Sequence, residues 1–216
     1  KPSSAASDVY KRQLLNSYLQ NRFFRVRSEG ELSSTRPIAA GVPQGSILGP
    51  LLFTCYTADI PIPEDRRAQI ALYADDTAVS YTSANPKLIT TKLQQMCEIL
   101  EKWFGKWRIS INPTKSAAVL FTRRPGKKNR NVGSVKMFGE KIPWVSETRY
   151  LGLILDERLT WKPHIEHVRN KALGGMAALR PITGRRSKLS LKNKVLLYTS
   201  MIRPIMTYAA PVWGYA

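Results

Sequence analysis

Cysteine, histidine and acidic residues are all scarce in this chain, and each shortage excludes something. Two cysteines, Cys55 and Cys97, and two histidines in 216 residues cannot build a disulfide framework. Neither cysteine has the CxxC or histidine spacing of a zinc site, so a reducing compartment is the default reading. No apolar run approaches the roughly 20 residues a spanning helix needs, and the N-terminus has no basic-then-apolar leader, so no membrane partner is expected. Acidic side chains number 15 against 34 lysines and arginines, a formal charge of +19 and a pI near 10.2. A field of that sign favours a polyanion, most often nucleic acid. Hydrophobic residues at 43% and charged residues at 23% are ordinary globular usage and exclude a disordered or fibrous chain.

The positive charge is concentrated. Between Lys162 and Arg203 stand ten basic residues and one acid, Glu166, among apolar residues at helical spacing. That pattern reads as a phosphate-facing helical surface. A second cluster, Arg123, Arg124, Lys127, Lys128 and Arg130, lies in a Pro- and Gly-containing stretch that reads as a loop.

Periodicity divides the chain into mixed elements and then helices alone. Asp8 to Arg22 reads as a helix with Asp8 as cap, Phe23 to Arg27 and Thr35 to Ala40 as short strands, and Ile47 to Ile60 as a helix capped by Ser46. Ile70 to Tyr73 and Thr77 to Tyr81 form two strands joined through Ala74-Asp75-Asp76, a tight hairpin. Asn85-Pro86 opens a helix to about Arg108 with Ile89, Leu93, Met96, Leu100, Trp103 and Trp107 on one face. Ser116 to Phe121 and Arg149 to Leu155 read as strands, Val135 to Val145 as a hairpin turning at Gly139-Glu140. Helices are expected from Thr160 to Leu179 and from Ser190 to Arg203, ahead of Pro204. The expected class is α+β, with a basic helical subdomain at residues 158–216 after a mixed layer at 1–157.

The chemistry gathers at Asp75-Asp76. Two adjacent carboxylates at the tip of an apolar hairpin repel each other and lose hydration unless cations neutralise them. All-oxygen ligands of this kind suit Mg²⁺, which commonly bridges a carboxylate to a substrate phosphate. The dipeptide alone is weak evidence, since an exposed Asp-Asp turn can be inert. Its surroundings add specificity.

Tyr73-Ala74-Asp75-Asp76, preceded by Gly41-Val42-Pro43-Gln44-Gly45-Ser46-Ile47-Leu48-Gly49-Pro50-Leu51 and followed by Asn112-Pro113-Thr114-Lys115-Ser116 and Tyr150-Leu151-Gly152, resembles the reverse transcriptases of non-LTR (LINE-type) retrotransposons, the jockey-like branch in particular. The resemblance implies a right-hand polymerase palm, an antiparallel sheet with packed helices, followed by a helical thumb. It implies an RNA-directed DNA polymerase that joins dNTPs to a DNA primer on an RNA template with two Mg²⁺ ions. Asp75 would be a metal ligand and Asp76 its neighbour. Tyr73 would lie near the primer end, and Lys115 near the leaving phosphates. Pro43, Gln44, Gly45 and Ser46 would line the template and nascent pair, and Tyr150, Leu151 and Gly152 would form the primer grip. A nuclear location follows only from that resemblance.

One departure stands against the pattern. The family's centre uses a third Asp from an earlier palm strand, and no strand before Asp8 supplies it; Asp8 and Asp59 are poor substitutes. The fingers and first catalytic strand are expected in an N-terminal half of the same polyprotein. The chain by itself is therefore expected to be nearly inactive and prone to self-association. The alternative is a non-catalytic nucleic-acid-binding remnant.

Overall fold

A computed structural model describes residues 4–122 and 132–215. The basic loop cluster from Arg123 to Arg130 lies outside the described residues. The chain separates into two compact units, residues 1–81 and 82–216.

In the first unit, helix α1 (Ser4–Leu19) begins four residues before the expected cap. Asp8 thus lies within it, 3.8 Å from Lys11 one turn on, because the small residues ahead of it continue the helix at little entropic cost. A ribbon follows in which β1 (Phe23–Phe24) pairs with β4 (Arg36–Pro37), and β2 (Arg27–Ser28) with β3 (Glu31–Leu32). The two expected strands become four pieces of two residues each. The arginine at position 22 ties this ribbon's base to the next loop, donating from Nε to Leu19 O at 2.9 Å and from Nη2 to Gly41 O at 2.6 Å.

Helix α2 (Leu48–Tyr56) is shorter than expected; Thr57 ends it by turning both its N–H and its hydroxyl onto Phe53 O. Strands β5 (Ala68–Tyr73) and β6 (Asp76–Tyr81) complete the unit. Its core is thin. Ile60, Ala68 and Tyr81 are buried, while Ile47, Ile62 and Tyr73 stand open to solvent.

The second unit holds the larger core. Asn85 caps α3 (Pro86–Lys106), its side chain accepting from Lys87 N–H, with Pro86 in the first turn where a missing N–H costs little. Ile89, Met96, Leu100 and Trp103 are buried on one face as the spacing implies, joined by Cys97 and Phe104. Burial pushes the Cys97 thiol up to about 11, helped by the nearby carboxylates of Glu101 and Glu98. This face packs on the ribbon of β7 (Val135–Met137) and β8 (Glu140–Ile142). Val135 and Met137 point inward, while Gln94 accepts from Lys136 N–H at 2.8 Å and Glu101 from Phe138 N–H. The turn is Phe138-Gly139, both with positive φ, rather than Gly139-Glu140.

Two strand expectations change form. Ser116 to Phe121 makes only a single bridge, Ala118 to Trp144. Arg149 to Leu155 is a hairpin: β9 (Glu147–Tyr150) and β10 (Leu153–Asp156) pair across Leu151-Gly152, whose φ angles are 46° and 81°. Two left-handed residues in succession reverse the chain inside what alternation alone reads as one strand. The described strands therefore form five separate two-stranded ribbons. Most of these ribbons are only two to four residues long.

Asp156 then nucleates the helical part. Its carboxylate accepts from the N–H groups of Arg158, Thr160 and Trp161 and from the Thr160 hydroxyl at 3.0–3.3 Å. These bonds hold its pKa below the usual carboxylate range against partial burial, which acts the other way. Helix α4 (Lys162–Thr183) follows, then α5 (Leu191–Leu197), capped by Ser190 accepting from Asn193 N–H.

The expected stop before Pro204 does not occur. A π turn (Tyr198–Ile202) widens the helix, with Arg203 N–H reaching back to Tyr198 O. Helix α6 (Arg203–Thr207) then runs through Pro204 in its first turn, where a proline has no N–H to place. A short α7 (Ala210–Trp213) ends the described chain. Ala172, Leu179 and Ile202 form the core of this part, with Leu197 and Ile205 against it. Gly175 lets α4 approach, since a Cβ there would lie 2.9 Å from Ile202 Cδ1. Helix α4 also packs on β10.

Candidate active-site hairpin and its surroundings

The two acids sit at the tip of the β5–β6 hairpin. Tyr73 and Asp76 are the last register pair, leaving Ala74-Asp75 as a two-residue turn in which Ala74 takes φ 51°. The hairpin thus closes one residue tighter than the sequence suggested, with Asp76 the first strand residue and not part of the turn. Tyr73, Asp75 and Asp76 are brought together at this tip, and all three are exposed.

The base of the hairpin is clamped by residues the sequence reading missed. The Asp65 carboxylate accepts from Arg67 Nε and Nη2 at 3.2 and 3.1 Å, from Arg67 N–H at 3.0 Å and from the Tyr81 hydroxyl at 3.0 Å. The Arg67 guanidinium also lies over the Tyr81 ring, 5.5 Å from its centroid. Since Tyr81 pairs with Ala68 at the open end, the cluster holds the register on which the tip depends. The available signal was an Asp two residues before an Arg at the head of a β-prone run, an Asx-turn pattern.

Hydrogen bonds from the Arg67 side chain, then from its N–H, hold the Asp65 carboxyl down at about 2, below its ordinary value of 3.8. A carboxylate with a depressed folded pKa stabilises the fold above its unfolded value and loses that contribution as pH falls through the folded one. Thermal melts from about pH 5 to pH 2 should therefore show a steeper loss for the parent than for Asp65→Asn. Parallel curves would remove the clamp from the account.

The glycine-rich loop ahead of α2 is built around Ser46, whose hydroxyl donates to Pro43 O at 2.8 Å and accepts from Gly49 N–H at 2.9 Å. Ser46 thereby caps the helix, as its position suggested. Gln44 and Gly45 are exposed, with Gly45 at φ 78°. This loop and the hairpin belong to the first unit; Lys115 and the Tyr150-Leu151-Gly152 turn belong to the second. Lys115 lies exposed in a 3-10 turn (Pro113–Lys115) capped by Asn112.

The Leu151-Gly152 turn is closed by Tyr208, whose hydroxyl donates to Leu151 O at 2.9 Å. A Cβ on Gly152 would meet the Tyr208 ring at 3.1 Å, at a φ of 81° that L residues rarely adopt. Gly152→Ala should destabilise the second unit by about 1–3 kcal/mol in urea titrations. Gly139→Ala, at a similar φ but facing open space, should cost less. Equal costs would show that the Tyr208 contact contributes nothing.

As ligands, Asp75 and Asp76 offer an oxygen-only set suited to a hard divalent cation that keeps much of its water. No cluster of three or more His, Cys, Asp or Glu capable of holding a metal occurs among the described residues. The donor chemistry fits Mg²⁺, and the donor count is that of a partial site.

The family model for reverse transcriptase (RNA-dependent DNA polymerase) matches residues 4–155. The chain is 37% identical over 210 residues to the RNA-directed DNA polymerase from mobile element jockey of Drosophila funebris, covering 94% of this chain and 22% of that protein. It is 35% identical over 209 residues to the Drosophila melanogaster jockey counterpart, again 94% and 22%. It is likewise 35% identical over 209 residues to a probable RNA-directed DNA polymerase from transposon BS of the same fly, 94% and 23%. The chain thus spans between a fifth and a quarter of the length of these relatives. No solved structure matches it. With the family model matched across both the glycine-rich loop and the two-aspartate hairpin, this chain belongs to the reverse transcriptase (RNA-dependent DNA polymerase) family.

Proposed function

We propose that this chain is the metal-bearing portion of an RNA-directed DNA polymerase of the non-LTR retrotransposon type, joining dNTPs to a DNA primer on an RNA template. The observation that carries the reading is the register of the β5–β6 hairpin, which ends with Tyr73, Asp75 and Asp76 together at one exposed tip. Asp75, with Asp76 beside it, would hold Mg²⁺, which when bound supplies Lewis-acid charge to the primer hydroxyl and the leaving pyrophosphate.

The other residues have binding and orienting work. The Ser46-capped loop presents Pro43, Gln44 and Gly45 toward template and incoming nucleotide, where a backbone without side-chain bulk approaches a base pair closely. Lys115 offsets charge on the leaving phosphates, and the Tyr150-Leu151-Gly152 turn positions the primer strand. In this reading residues 1–157 serve as palm and 158–216 as thumb. The fingers and a third carboxylate come from polypeptide outside this sequence, and the reaction is nuclear.

The test is primer extension on an RNA template by a polymerase-length polypeptide carrying this segment. Incorporation that is lost on chelation of Mg²⁺ supports the reading. The second reading, a non-catalytic nucleic-acid-binding remnant, draws on the two-carboxylate donor set and the charge of +19. It predicts binding that weakens steeply with salt, no dependence on metal and no incorporation.

A further inference from the structure

Of the chain's two histidines, His164 is taken almost wholly out of solvent. It is 1% exposed in the first turn of α4, whereas His167, three residues on, is exposed. The His164 ring lies between two indoles, edge-on to Trp213 of α7 at 5.4 Å and to Trp161 at 6.3 Å. Its Nδ1 accepts from the Ile154 N–H of β10 at 3.4 Å. One side chain thus touches the strand before α4, the residue that starts α4 and the last helix of the described chain.

That geometry admits only the neutral ring. An Nδ1 that accepts carries no proton, so the proton is on Nε2, and Nε2 is buried without a hydrogen-bond partner. A second proton would have to go onto Nδ1, where it would meet the Ile154 N–H, donor against donor. The imidazolium would then hold two buried donors and no acceptor. A buried donor without a partner is costly, and more so when it is charged.

Nothing packed around the ring offers a compensating charge. The titratable side chains bordering the same cavity are Arg149 of β9 and His167 and Lys171 of α4, with Tyr208 beside them. Neither Arg149 nor Lys171 has an ion pair among the described residues, and the Tyr208 hydroxyl is committed to Leu151 O. On β10, the Asp156 carboxylate is taken up by the N–H groups of Arg158, Thr160 and Trp161 and by the Thr160 hydroxyl. Glu166 of α4 is exposed, and α7 carries no charged residue. Burial, and after it the like charge of His167, pushes the His164 ring below its ordinary value of 6.5.

We infer that His164 is a proton-operated latch: as the neutral ring it ties α7 and β10 to the start of α4, and taking up a proton opens that joint while the α3 core of the same unit stays closed. Once the joint opens, the ring returns to water and to its ordinary value of 6.5. Above that pH neither the closed nor the open form binds the extra proton, and the closed joint keeps its full stability. Below it only the open form binds the proton, until the pH falls through the closed-form value, and each pH unit between them favours opening by up to about tenfold.

The experiment uses the full 216-residue chain and follows N–H hydrogen exchange, corrected for the chemical exchange rate, with NMR of the two imidazoles alongside. Between about pH 7.5 and about pH 5, protection of the Ile154 amide and of the Trp213 indole N–H, which donates to Tyr208 O, should fall by about tenfold or more. Protection within α3, whose face on the β7–β8 ribbon contains no histidine, should change by less than about threefold. His164 should carry its proton on Nε2 at the upper pH and gain the second at a lower pH than His167. His164→Asn places a carboxamide oxygen where Nδ1 accepts and cannot be protonated, so it should keep the joint and flatten the pH dependence.

Ile154 protection that is level across the range overturns the latch, as does an equal fall in His164→Asn. Loss of α3 protection in step with Ile154 would mark unfolding of the whole unit and overturn it too. If the Asn variant does not fold, the parent still decides, since a His164 ring that takes up its second proton with Ile154 protection intact contradicts the inference. No metal or nucleic acid enters the measurement, so its outcome and that of the polymerase reading are independent.

Discussion

Asp75→Asn, made in a polymerase-length polypeptide carrying this segment, is expected to cut primer extension by about 100-fold or more while leaving primer–template affinity within about threefold. The substitution keeps the size of the side chain and removes one formal charge from a two-carboxylate set. A divalent cation held by few protein ligands depends steeply on each of them. Nucleic-acid binding draws instead on the basic surface, where one neutralised acid among 34 lysines and arginines changes little. The hairpin itself should persist, because Asp75 is an exposed turn residue outside the ladder that Tyr73 and Asp76 close, with no side-chain hydrogen bond or ion pair among the described residues. Steady-state extension and anisotropy on the same preparation decide the matter. Activity within about threefold of the parent would remove Asp75 from the metal site, and an equal fall in affinity would show that the residue serves binding.

The second large effect concerns stability. Trp103→Ala should cost about 3–5 kcal/mol in urea unfolding of the second unit, the range for emptying a buried large aromatic site. Trp103 is 6% exposed on the α3 face, edge-on to Phe104 at 5.3 Å and beside Trp107 at 6.2 Å. Removing it deletes the largest apolar surface in that face and leaves a void that the helix cannot close while Gln94 and Glu101 hold it to β7 and its turn. Trp107→Ala, at a half-buried position near the helix end, should lose less than half as much, because its site can collapse or fill with water. A Trp103 loss below about 1 kcal/mol would mean that the α3–β7 contact is not the core of this unit.

The same helix shows why some of the fold was legible in advance. Its face follows the 3.6-residue period, its cap is an Asn before a Pro, and both are local rules that tertiary contacts only reinforce. The β5–β6 hairpin was legible for the same reason. The cap at Asp8, the strand at Ser116 to Phe121 and the stop at Pro204 were not. Each depended on a partner or a backbone adjustment remote from the residues in question: a helix start four residues upstream, a strand neighbour that forms only one bridge, a π turn that absorbs the proline.

For the site, the two acids, the capping serine and the Tyr150-Leu151-Gly152 turn could be picked out because glycines, prolines and paired carboxylates announce themselves in a linear text. The Asp65–Arg67–Tyr81 clamp could not, since its members are ordinary residues until folding brings them together.

The order of residues alone determined the family, the charge, the helical face of α3 and the carboxylate pair, because these depend on identity and short spacing. Tertiary structure decided the five separate ribbons, the tightness of the Ala74-Asp75 turn and the convergence of unpaired cations beside Tyr208. Those outcomes turn on non-local pairing and on φ angles at single residues, where differences of about 1 kcal/mol per residue select the path of the backbone.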